Sequence, residues 1–432
     1  MFYHILYNLY NAVMCLVEHL FHFVSRTIVS DCISHKSHFY QFVSGQNRLL
    51  PSIREKMGDC KKEVIWIHAA SLGEYAVARP VIQQLRSENR VLVLTLFSPS
   101  AYEVLKNRNC HQNGADFVFY LPWDTQGNAK QFLDIIRPGK AIFIISEYWI
   151  NYLRELDKRQ IATYFVSSLI HQDSYLLKWY GRPILKAIPT STKFMVLDEK
   201  SEQNLRKVGL NRVAVTGDPL FDNAIGIAQT PYSNDIIERF CATAEGDILI
   251  AGSISDSQDL EISSSFANTH RNVKCIFAPH EICEEKLKPI KHHLDGRAEL
   301  YSDCTPETDF SKCQVLIIDF VGDLSRIYRY GRWAYVGGGF TPYLHSVIEP
   351  VVYGLPVAFG PCIKRKITPQ QMIDIGIGKI VESAKDLSAW FDHCVSDEQE
   401  MEKIQQKALS YANSHCGATK EIVQHIKENT LE

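Results

Sequence analysis

Short apolar runs of strand-forming residues recur along the chain, and each run ends in small or polar residues before a helical pattern begins. The first is VIWI at residues 64–67, and the next is VLVLTLF at residues 91–97. Strands of a parallel sheet are covered on both faces, so they read as nearly continuous apolar runs rather than as alternating ones. The recurrence therefore predicts an α/β fold built on doubly wound parallel sheets.

The length of the chain predicts two such domains. A chain of 432 residues with 46% hydrophobic residues exceeds what one core accommodates, and it suits two domains of about 200 residues each. A polar stretch at residues 217–233, with Pro219 and Pro231, predicts the connection between them. Further strands follow at residues 248–251, 274–278, 315–318, 333–336 and 357–359. We accordingly expect one domain over residues 31–225 and a second over residues 226–432.

Charge and cysteine usage exclude several classes of protein. The formal net charge of −3 argues against a broad electrostatic grip on nucleic acid, so we expect no nucleic-acid partner. The 12 cysteines include no CxxC pair and no Cys/His cluster at zinc spacing. Disulfide frameworks and structural metal sites are therefore not supported, and a reducing cytoplasm fits best.

Residues 1–30 are predicted to form an amphipathic, membrane-associated helix. Residues 2–24 are mostly apolar, with no charge before Glu18 and no small-residue cleavage site of a signal peptide. At about 100° per residue, one arc of roughly 100° collects the polar side chains: His4, Asn8, Asn11, Cys15, Glu18, His19, His22 and Arg26. The apolar face could enter one leaflet, or the segment could span the bilayer with its polar stripe packed on protein. A helix that packs on a soluble protein is the remaining alternative.

Glu74 is the first candidate for catalysis. It follows the strand at residues 64–67 at a sharp turn that contains Gly73. In an open α/β sheet, ligands bind outside the carboxyl ends of the strands, so this carboxylate is aimed at a crevice. The alternative is that an acid in a first helical turn only complements the helix dipole, which contributes roughly 0.3–1 kcal/mol.

Glu147 occupies the same topological place. The strand at residues 141–145 ends in Ser146, Glu147, Tyr148 and Trp149. Two acids are thus predicted to point at one crevice. For Glu147, a capping or salt-bridged carboxylate is the alternative.

The second half carries a glycine loop that is suited to an anion. The strand at residues 333–336 runs into GGGF at residues 337–340. Consecutive glycines let a backbone approach a ligand, and the N-terminus of the next helix offers N–H groups to a phosphate. We expect that helix to begin near Tyr343 and to carry Leu344, Val347 and Ile348 inward. Glu349, near its end, could accept hydrogen bonds from ribose hydroxyls or be a solvated acid, and His345 is more often a structural hydrogen-bonding residue.

These motifs, in this order, resemble the 3-deoxy-D-manno-octulosonic acid (Kdo) transferases of lipopolysaccharide assembly. The resemblance rests on WIHAASLGE at residues 66–74, SEYW at 146–149, GDPLFD at 217–222, AGS at 251–253, APHE at 278–281, GGGF at 337–340 and FGP at 359–361. It implies a GT-B-like arrangement of two Rossmann-like domains that face each other across a cleft, with the acceptor side N-terminal and the nucleotide side C-terminal. It also implies inverting transfer of Kdo from CMP-Kdo to a lipid A precursor (lipid IVA) at the cytoplasmic face of the inner membrane, without a metal or cofactor.

The resemblance assigns roles to individual residues. It implies that Glu74 is the general base and Glu147 a second acid that stabilises the transition state. It implies contacts to CMP from a set in the second half: Pro279, His280, Val321, Gly322, Asp323, Ser346, Val347, Ile348 and Glu349. Further donor-site candidates are Gly252, Ser253, Gly338, Gly339 and His345.

Three positions depart from the pattern of the family. Leu220 stands where relatives carry a lysine or arginine, Ser346 replaces a common asparagine, and Cys362 follows the FGP segment in place of a larger polar residue. A sugar-nucleotide epimerase, a UDP-sugar transferase of the same fold and a non-catalytic membrane-attached homologue are the alternatives.

Overall fold

The computed structural model describes residues 2–27, 38–46, 48–106 and 114–428. The backbone divides into two compact units: the first comprises Met1–Asn223 and Gly417–Glu432, and the second comprises Ala224–Cys416. Each unit contains a seven-stranded parallel sheet. The predicted α/β class with two Rossmann-like sheets is therefore confirmed.

The first unit is built on seven parallel strands. They are β1 (Glu63–His68), β2 (Arg90–Leu96), β3 (Phe117–Tyr120), β4 (Lys140–Ile144), β5 (Ala162–Ser168), β6 (Lys193–Val196) and β7 (Val213–Val215). Their spatial order is β3-β2-β1-β4-β5-β6-β7. The helices in the described ranges are α1 (Phe2–Thr27), α2 (His38–Gln46), α3 (Leu49–Met57), α4 (Leu72–Leu85), α5 (Pro99–Leu105), α6 (Gln126–Ile136), α7 (Ile150–Lys158), α8 (Arg182–Ala187) and α9 (Glu199–Lys207), and α10 (Pro219–Gln229) leads into the second unit.

The strand β1 shows why this sheet is covered on both faces. Successive side chains of a strand point to opposite faces of its sheet. Trp66 packs in the core that contains Phe132 of α6, whereas Ile65 and Ile67 pack in the core that contains Val81 of α4. Both faces are buried, as the continuous apolar run predicts.

The second unit repeats this architecture. Its strands are β8 (Ile248–Ile254), β9 (Lys274–Pro279), β10 (Ala298–Leu300), β11 (Val315–Ile317), β12 (Trp333–Val336), β13 (Val357–Phe359) and β14 (Gly378–Ile380). Their spatial order is β10-β11-β9-β8-β12-β13-β14. Its helices are α11 (Asp235–Ala242), α12 (Ser257–Thr269), α13 (Glu284–His293), α14 (Leu324–Ile327), α15 (Ile348–Val351), α16 (Ile367–Asp374), α17 (Ala384–Ser396) and α18 (Glu398–Ser414).

The predicted connection at residues 217–233 contains the boundary between the two units, after Asn223, but α10 occupies most of the stretch, so the connection is largely helical. Pro219 stands at the start of this helix, where a proline is tolerated since its missing N–H would have no partner there. Phe221 and Ala224 bury their side chains. The polar composition of the stretch concealed this short buried face.

The predicted second domain ends at residue 432, but helix α19 (Ala418–Glu428) belongs to the first unit. Its apolar side chains join the core that covers α4: Ala418, Ile422, Val423 and Ile426. At its start, the Asp222 carboxylate accepts hydrogen bonds of 2.6 Å from the N–H groups of both Gly417 and Thr419. At its end, Lys140 Nζ donates to the carbonyl of Ile426 at 2.9 Å. This burial and these contacts return the last helix to the first unit.

Helix α1 packs on the first unit through one side. Tyr7 is buried in the core, and Tyr10, Met14, Val17 and Phe21 pack against it. A different side of the helix forms an exposed stripe of large apolar residues: Ile5, Leu9, Val13, Leu16, Leu20 and Phe23. The stripe spans roughly 80° of the helix at about 100° per residue. The residues that pack on the unit are thus mostly apolar or aromatic. The polar arc, which one of the alternatives from the sequence packs on protein, contributes Glu18, whose Oε1 accepts a hydrogen bond from Asn128 Nδ2 at 2.7 Å.

Among the described residues, no helix combines the length and the apolar character that crossing a lipid bilayer requires. Residues 1 and 28–30 of the predicted N-terminal segment lie outside the described residues.

Candidate active site

The loops after β1 and β4 lie beside each other at the carboxyl edge of the first sheet. Strand β1 pairs with β2 on one side and with β4 on the other. The order of the strands along the chain reverses here, and doubly wound sheets bind ligands at this switch point. Glu74 follows β1 and Glu147 follows β4, so the topology brings the two predicted acids to one place.

Glu74 lies in the first turn of α4 and is half-buried. Ser71 caps the helix and accepts a hydrogen bond from the Glu74 N–H at 3.3 Å. The Glu74 carboxylate reaches back and accepts from the Ala70 N–H at 2.6 Å through Oε2. Glu74 therefore lies at the helix start, as does the acid in the alternative interpretation, which only complements the helix dipole.

The pKa of Glu74 is raised, which a carboxylate that only complements the helix dipole would not require. Burial, and then the negative charge of Glu147, raise the pKa of Glu74 to about 8, although the hydrogen bond from Ala70 lowers it. A general base is most effective when its pKa is near the working pH. The carboxylate is thus tuned to take a proton near neutral pH.

His68, the last residue of β1, lies next to Glu147 and is completely buried. Its Nε2 is 3.7 Å from Glu147 Oε2 and accepts a hydrogen bond from Trp149 Nε1 at 3.1 Å. Its Nδ1 is 2.9 Å from Thr95 Oγ1. Because the indole can only donate, the histidine proton belongs on Nδ1, and the ring is a neutral support rather than an ion-pair partner. Sequence reasoning included His68 in a motif but gave it no role.

Ile145 joins β4 to the Glu147 loop in a strained conformation. Its φ is 62°, a left-handed value that β-branched residues rarely adopt and that costs on the order of 1–3 kcal/mol. Its N–H donates to Val166 O at 2.8 Å, and its carbonyl accepts from Ser168 Oγ at 2.6 Å. These two bonds to β5 hold the turn that precedes Glu147. No feature of the sequence indicates this strain.

In the second unit, the loops after β8 and β12 occupy the corresponding switch point. Strand β8 pairs with β9 and with β12. Gly252 and Ser253 lie at the end of β8, and residues 337–339 follow β12. The topology therefore brings four of the further donor-site candidates together: Gly252, Ser253, Gly338 and Gly339.

Asp259 organises this loop pair, and sequence reasoning missed it. The side chain is fully buried in α12. It accepts hydrogen bonds from the Gly338 N–H at 2.8 Å, the Ser255 N–H at 3.0 Å and the Tyr335 hydroxyl at 2.6 Å. A buried carboxylate needs such donors, but an isolated aspartate near a helix start gives no sign in the sequence that it will find them.

The glycines allow close packing of protein on protein. A Cβ on Gly338, whose φ is +83°, would lie 2.5 Å from the carbonyl oxygen of Tyr343. A Cβ on Gly339 would lie 2.5 Å from the backbone N of Gly360. The space that sequence reasoning reserved for a ligand is thus partly filled by neighbouring loops.

The helix predicted from Tyr343 begins only at Ile348. Residues 341–347 instead turn back, and the His345 N–H donates to Gly337 O at 3.2 Å. Val347 and Ile348 are buried as expected, but Glu349 lies in the first turn of α15 rather than at a helix end.

Glu349 and His345 are both shifted by burial. Burial raises the pKa of Glu349 to about 7. Burial, and then the neighbouring His280 and Lys366, lower the pKa of His345 to about 4. The neutral His345 ring lies 4.3 Å from the ring of His280, and its Nε2 is 2.7 Å from Ser255 Oγ. His280 itself is exposed just after Pro279, the last residue of β9.

The remaining predicted donor residues differ in their surroundings. Val321 is 67% exposed, and Gly322 has a φ of 120°. Asp323 pairs with Arg326 at 2.6 Å and accepts from the Tyr232 hydroxyl at 3.2 Å, so its carboxylate is engaged within the unit. Ser346 Oγ is buried and has no hydrogen-bond partner within the part of the chain that the structure describes.

Leu220 packs on the core of the first unit beside α4. The position at which the resemblance implies a lysine or arginine therefore carries an apolar side chain. Over residues 2–27, 38–46, 48–106 and 114–428, no group of three or more His, Cys, Asp or Glu side chains is placed to hold a metal ion.

Residues 50–223 match the model of a protein family described as 3-deoxy-D-manno-octulosonic-acid transferase (kdotransferase). The 3-deoxy-D-manno-octulosonic acid transferase of Aquifex aeolicus is 25% identical over 383 residues, which cover 86% of this chain and 97% of that protein. The protein of the same description from Haemophilus influenzae is 22% identical over 386 residues, which cover 84% of this chain and 86% of that protein.

Solved structures share the fold. UDP-GlcNAc 2-epimerase from Neisseria meningitidis, bound to UDP-GlcNAc, superposes with a TM-score of 0.59 at 13% identity and covers 85% of this chain and 100% of its own. A glycosyltransferase from Rickettsia africae gives a TM-score of 0.56 at 14% identity and covers 86% of this chain and 100% of its own. At these identities the likeness shows the fold alone.

Proposed function

We propose, from the premise that the chain belongs to the Kdo transferase family, that it transfers Kdo from CMP-Kdo to a lipid A precursor in lipopolysaccharide core synthesis. The observation that carries the proposal is the meeting of Glu74 and Glu147 at the switch point of the first sheet. It occurs in a chain similar to Kdo transferases over 84–86% of its length.

Glu74 is the proposed general base. A sugar hydroxyl is a weak nucleophile at neutral pH, and a positioned carboxylate that takes its proton contributes roughly 10²–10⁴-fold to the rate. The hydroxyl oxygen forms a bond to the anomeric carbon of Kdo while the bond from that carbon to the CMP phosphate oxygen breaks. The proton goes to Glu74 and the electron pair leaves with CMP. Attack on the face opposite CMP inverts the anomeric centre.

Glu147 serves the same step through its charge. Positive charge develops on the donor sugar as the leaving group departs, and a fixed carboxylate stabilises it. The same charge raises the pKa of Glu74, which strengthens Glu74 as a base. One acid thus assists both partners of the reaction.

The donor is proposed to bind to the second unit. We expect three polar groups to contact CMP: the Ser346 Oγ, to which the described residues offer no hydrogen-bond partner, the exposed His280 and the acid Glu349. Glu349 as a carboxylate would accept hydrogen bonds from ribose hydroxyls. In a GT-B enzyme one domain binds the acceptor and the other binds the donor. Turnover therefore requires both domains to act on one acceptor and one donor together.

The exposed stripe of α1 is proposed to rest on the cytoplasmic face of the inner membrane. Six large apolar residues on one side of one helix exceed the scattered apolar residues that are normal on a soluble surface. A stripe of this kind can bury its side chains about 5–10 Å deep at the boundary of headgroups and acyl chains. The acceptor is itself a lipid, so this position would bring the enzyme to its substrate.

The test is a product assay with the full chain. CMP-Kdo and a tetra-acylated lipid A precursor in detergent micelles are incubated with the protein, and the glycolipid is analysed by mass spectrometry. We expect a gain in mass of one or more Kdo residues, with one CMP released per residue added. Unchanged glycolipid and no CMP would overturn the proposal.

A binding comparison separates the alternative donors. Thermal unfolding is measured with CMP and with UDP at equal concentrations. A ligand at 100 times its dissociation constant stabilises a protein by about 2.7 kcal/mol. We expect CMP to raise the melting temperature more than UDP, and the opposite order would favour a UDP-sugar transferase or an epimerase.

A further inference from the structure

The packed side of helix α1 carries two tyrosines that form hydrogen bonds deep in the first unit. The Tyr7 hydroxyl donates to Asn151 Oδ1 at 2.9 Å, and the Tyr10 hydroxyl donates to Asp124 Oδ2 at 2.5 Å. The guanidinium of Arg154 lies over the Tyr7 ring at 4.0 Å. A helix held only by apolar contact would need none of these bonds.

Asp124 connects α1 to the start of α7. Its side chain is completely buried. It accepts hydrogen bonds of 3.1 Å from the N–H groups of both Asn151 and Tyr152, while its own carbonyl accepts from Asn151 Nδ2 at 2.6 Å. Burial raises the pKa of Asp124 to about 6, and the hydrogen bonds from Tyr10, Asn151 and Tyr152 oppose that rise. A carboxylate at a helix N-terminus also stabilises the helix dipole.

The start of α7 is continuous with the Glu147 loop. Helix α7 begins at Ile150, with Trp149 as its N-cap residue, only three residues after Glu147. The Trp149 indole donates to His68 Nε2, which lies 3.7 Å from Glu147 Oε2. Any shift of the first turn of α7 therefore moves Trp149 and the loop that carries Glu147.

We propose that Tyr7 and Tyr10 are positioning residues, which act through Asn151 and Asp124 on the first turn of α7 and so on Glu147. Helix α1 is then a structural part of the acceptor site as well as a surface for a membrane. The inference rests on the proposed function, because it concerns the placement of an acid in that reaction.

The two sides of α1 permit the two roles to be separated by mutation. Tyr7 and Tyr10 lie on the packed side, whereas Leu9 and Leu16 lie on the exposed stripe, where they are each 59% exposed. Tyr→Phe removes a hydroxyl and keeps the ring, so it breaks the hydrogen bonds while most of the packing remains. Leu9→Ser with Leu16→Ser changes the stripe and leaves the hydrogen bonds intact.

The experiment compares Tyr7→Phe/Tyr10→Phe with Leu9→Ser/Leu16→Ser in the full chain. For each variant, kcat and the KM of CMP-Kdo are measured with a micellar acceptor, and binding to vesicles of phosphatidylethanolamine and phosphatidylglycerol is measured by sedimentation. We expect the tyrosine variant to lose at least tenfold in kcat, with the KM of CMP-Kdo and vesicle binding within twofold of wild type. The leucine variant should bind vesicles more weakly, with the KM of CMP-Kdo within twofold of wild type. Glu88→Gln, at an exposed acid of the same unit, is the control for kcat and should stay within twofold of wild type.

A merely structural role of the tyrosines would lower the melting temperature and leave kcat per folded molecule unchanged. A kcat within twofold of wild type in the tyrosine variant would therefore overturn the inference. If that variant melts below the assay temperature, the single variant Tyr10→Phe, assayed at a lower temperature, carries the same test. Wild type without Kdo transfer would instead overturn the proposed function, so the two failures are distinguishable.

Discussion

Glu74 and Glu147 follow neighbouring strands of one sheet, and the charge of Glu147 helps to raise the pKa of Glu74 to about 8. Burial is the largest cause of this rise in the pKa of Glu74, and the charge of Glu147 is the second. That charge is near because β1 pairs with β4, which brings together residues 73 positions apart (147 − 74). The pKa of the proposed base thus depends in part on sheet topology.

The pH dependence of transfer should reflect this shift. Glu74 must be ionised to accept a proton, so kcat should fall as the pH drops through about 8. Glu147→Gln removes the neighbouring charge and should lower the pKa of Glu74. The acid limb of the remaining activity should therefore move to lower pH, whereas Glu88→Gln, at an exposed acid of the same unit, should leave it in place. An acid limb that does not move in Glu147→Gln would remove the electrostatic coupling of the pair.

Glu74→Gln should stabilise the folded protein at high pH. Because the folded state raises the pKa of Glu74 from 4.5 to about 8, it binds the proton more tightly than the unfolded chain does. Its contribution to stability is complete below about pH 4.5 and is lost as the pH rises through about 8. The free energy of unfolding of Glu74→Gln relative to wild type should grow from below about 1 kcal/mol at pH 5 to on the order of 4 kcal/mol at pH 8. Denaturant unfolding at the two pH values checks this, and a constant difference would contradict it.

Glu349→Ala should weaken the binding of CMP. Hydrogen bonds to a charged group contribute about 1.5–3 kcal/mol, so we expect a loss of roughly 10–100-fold in affinity by calorimetry. Since burial raises the pKa of Glu349 to about 7, wild-type affinity should also weaken as the pH falls below that value. Glu402→Ala, at an exposed acid on α18 of the same unit, is the matched control. CMP affinity equal to that of the control would reject the proposed contact with the ribose.

Asp259→Ala should destabilise the second unit and disorder its glycine loop. The substitution leaves the buried donors of Gly338, Ser255 and Tyr335 without their acceptor, and each unsatisfied group costs about 1–3 kcal/mol. We expect a lower melting temperature and weaker CMP binding, both measured by thermal unfolding with and without CMP. Unchanged stability would show that the loop does not depend on Asp259.

Much of the architecture could be predicted because buried parallel strands leave a strong local signal. VLVLTLF at residues 91–97 contains all of β2 except its first residue, and WAYV matches β12. Strand β6, KFMV, was not predicted, because four residues that begin with a lysine give too short an apolar run. Helix α10 was hidden for a similar reason, since its few buried side chains lie in a polar stretch with two prolines.

The candidate site likewise contains features that the sequence predicts and features that it does not. The topological places of Glu74 and Glu147 followed from strand ends, a local property. Other features of the site depend on residues that are distant in the chain. Trp149 and Thr95 contact His68, and Gly338 donates to Asp259. The strained φ of Ile145 is likewise held by contacts with a different strand. Such pairs are fixed by strand order and loop packing, and the sequence holds no local mark of them.

The central claim is that Glu74 takes the proton of a lipid-borne hydroxyl during Kdo transfer. The most direct measurement is the rate of glycolipid formation from CMP-Kdo by Glu74→Gln, determined beside wild type and Glu88→Gln with CMP affinity measured for each. We predict that Glu74→Gln loses at least roughly 10²-fold in kcat while CMP affinity stays within a few fold and Glu88→Gln matches wild type. Transfer by Glu74→Gln at the wild-type rate would contradict the account.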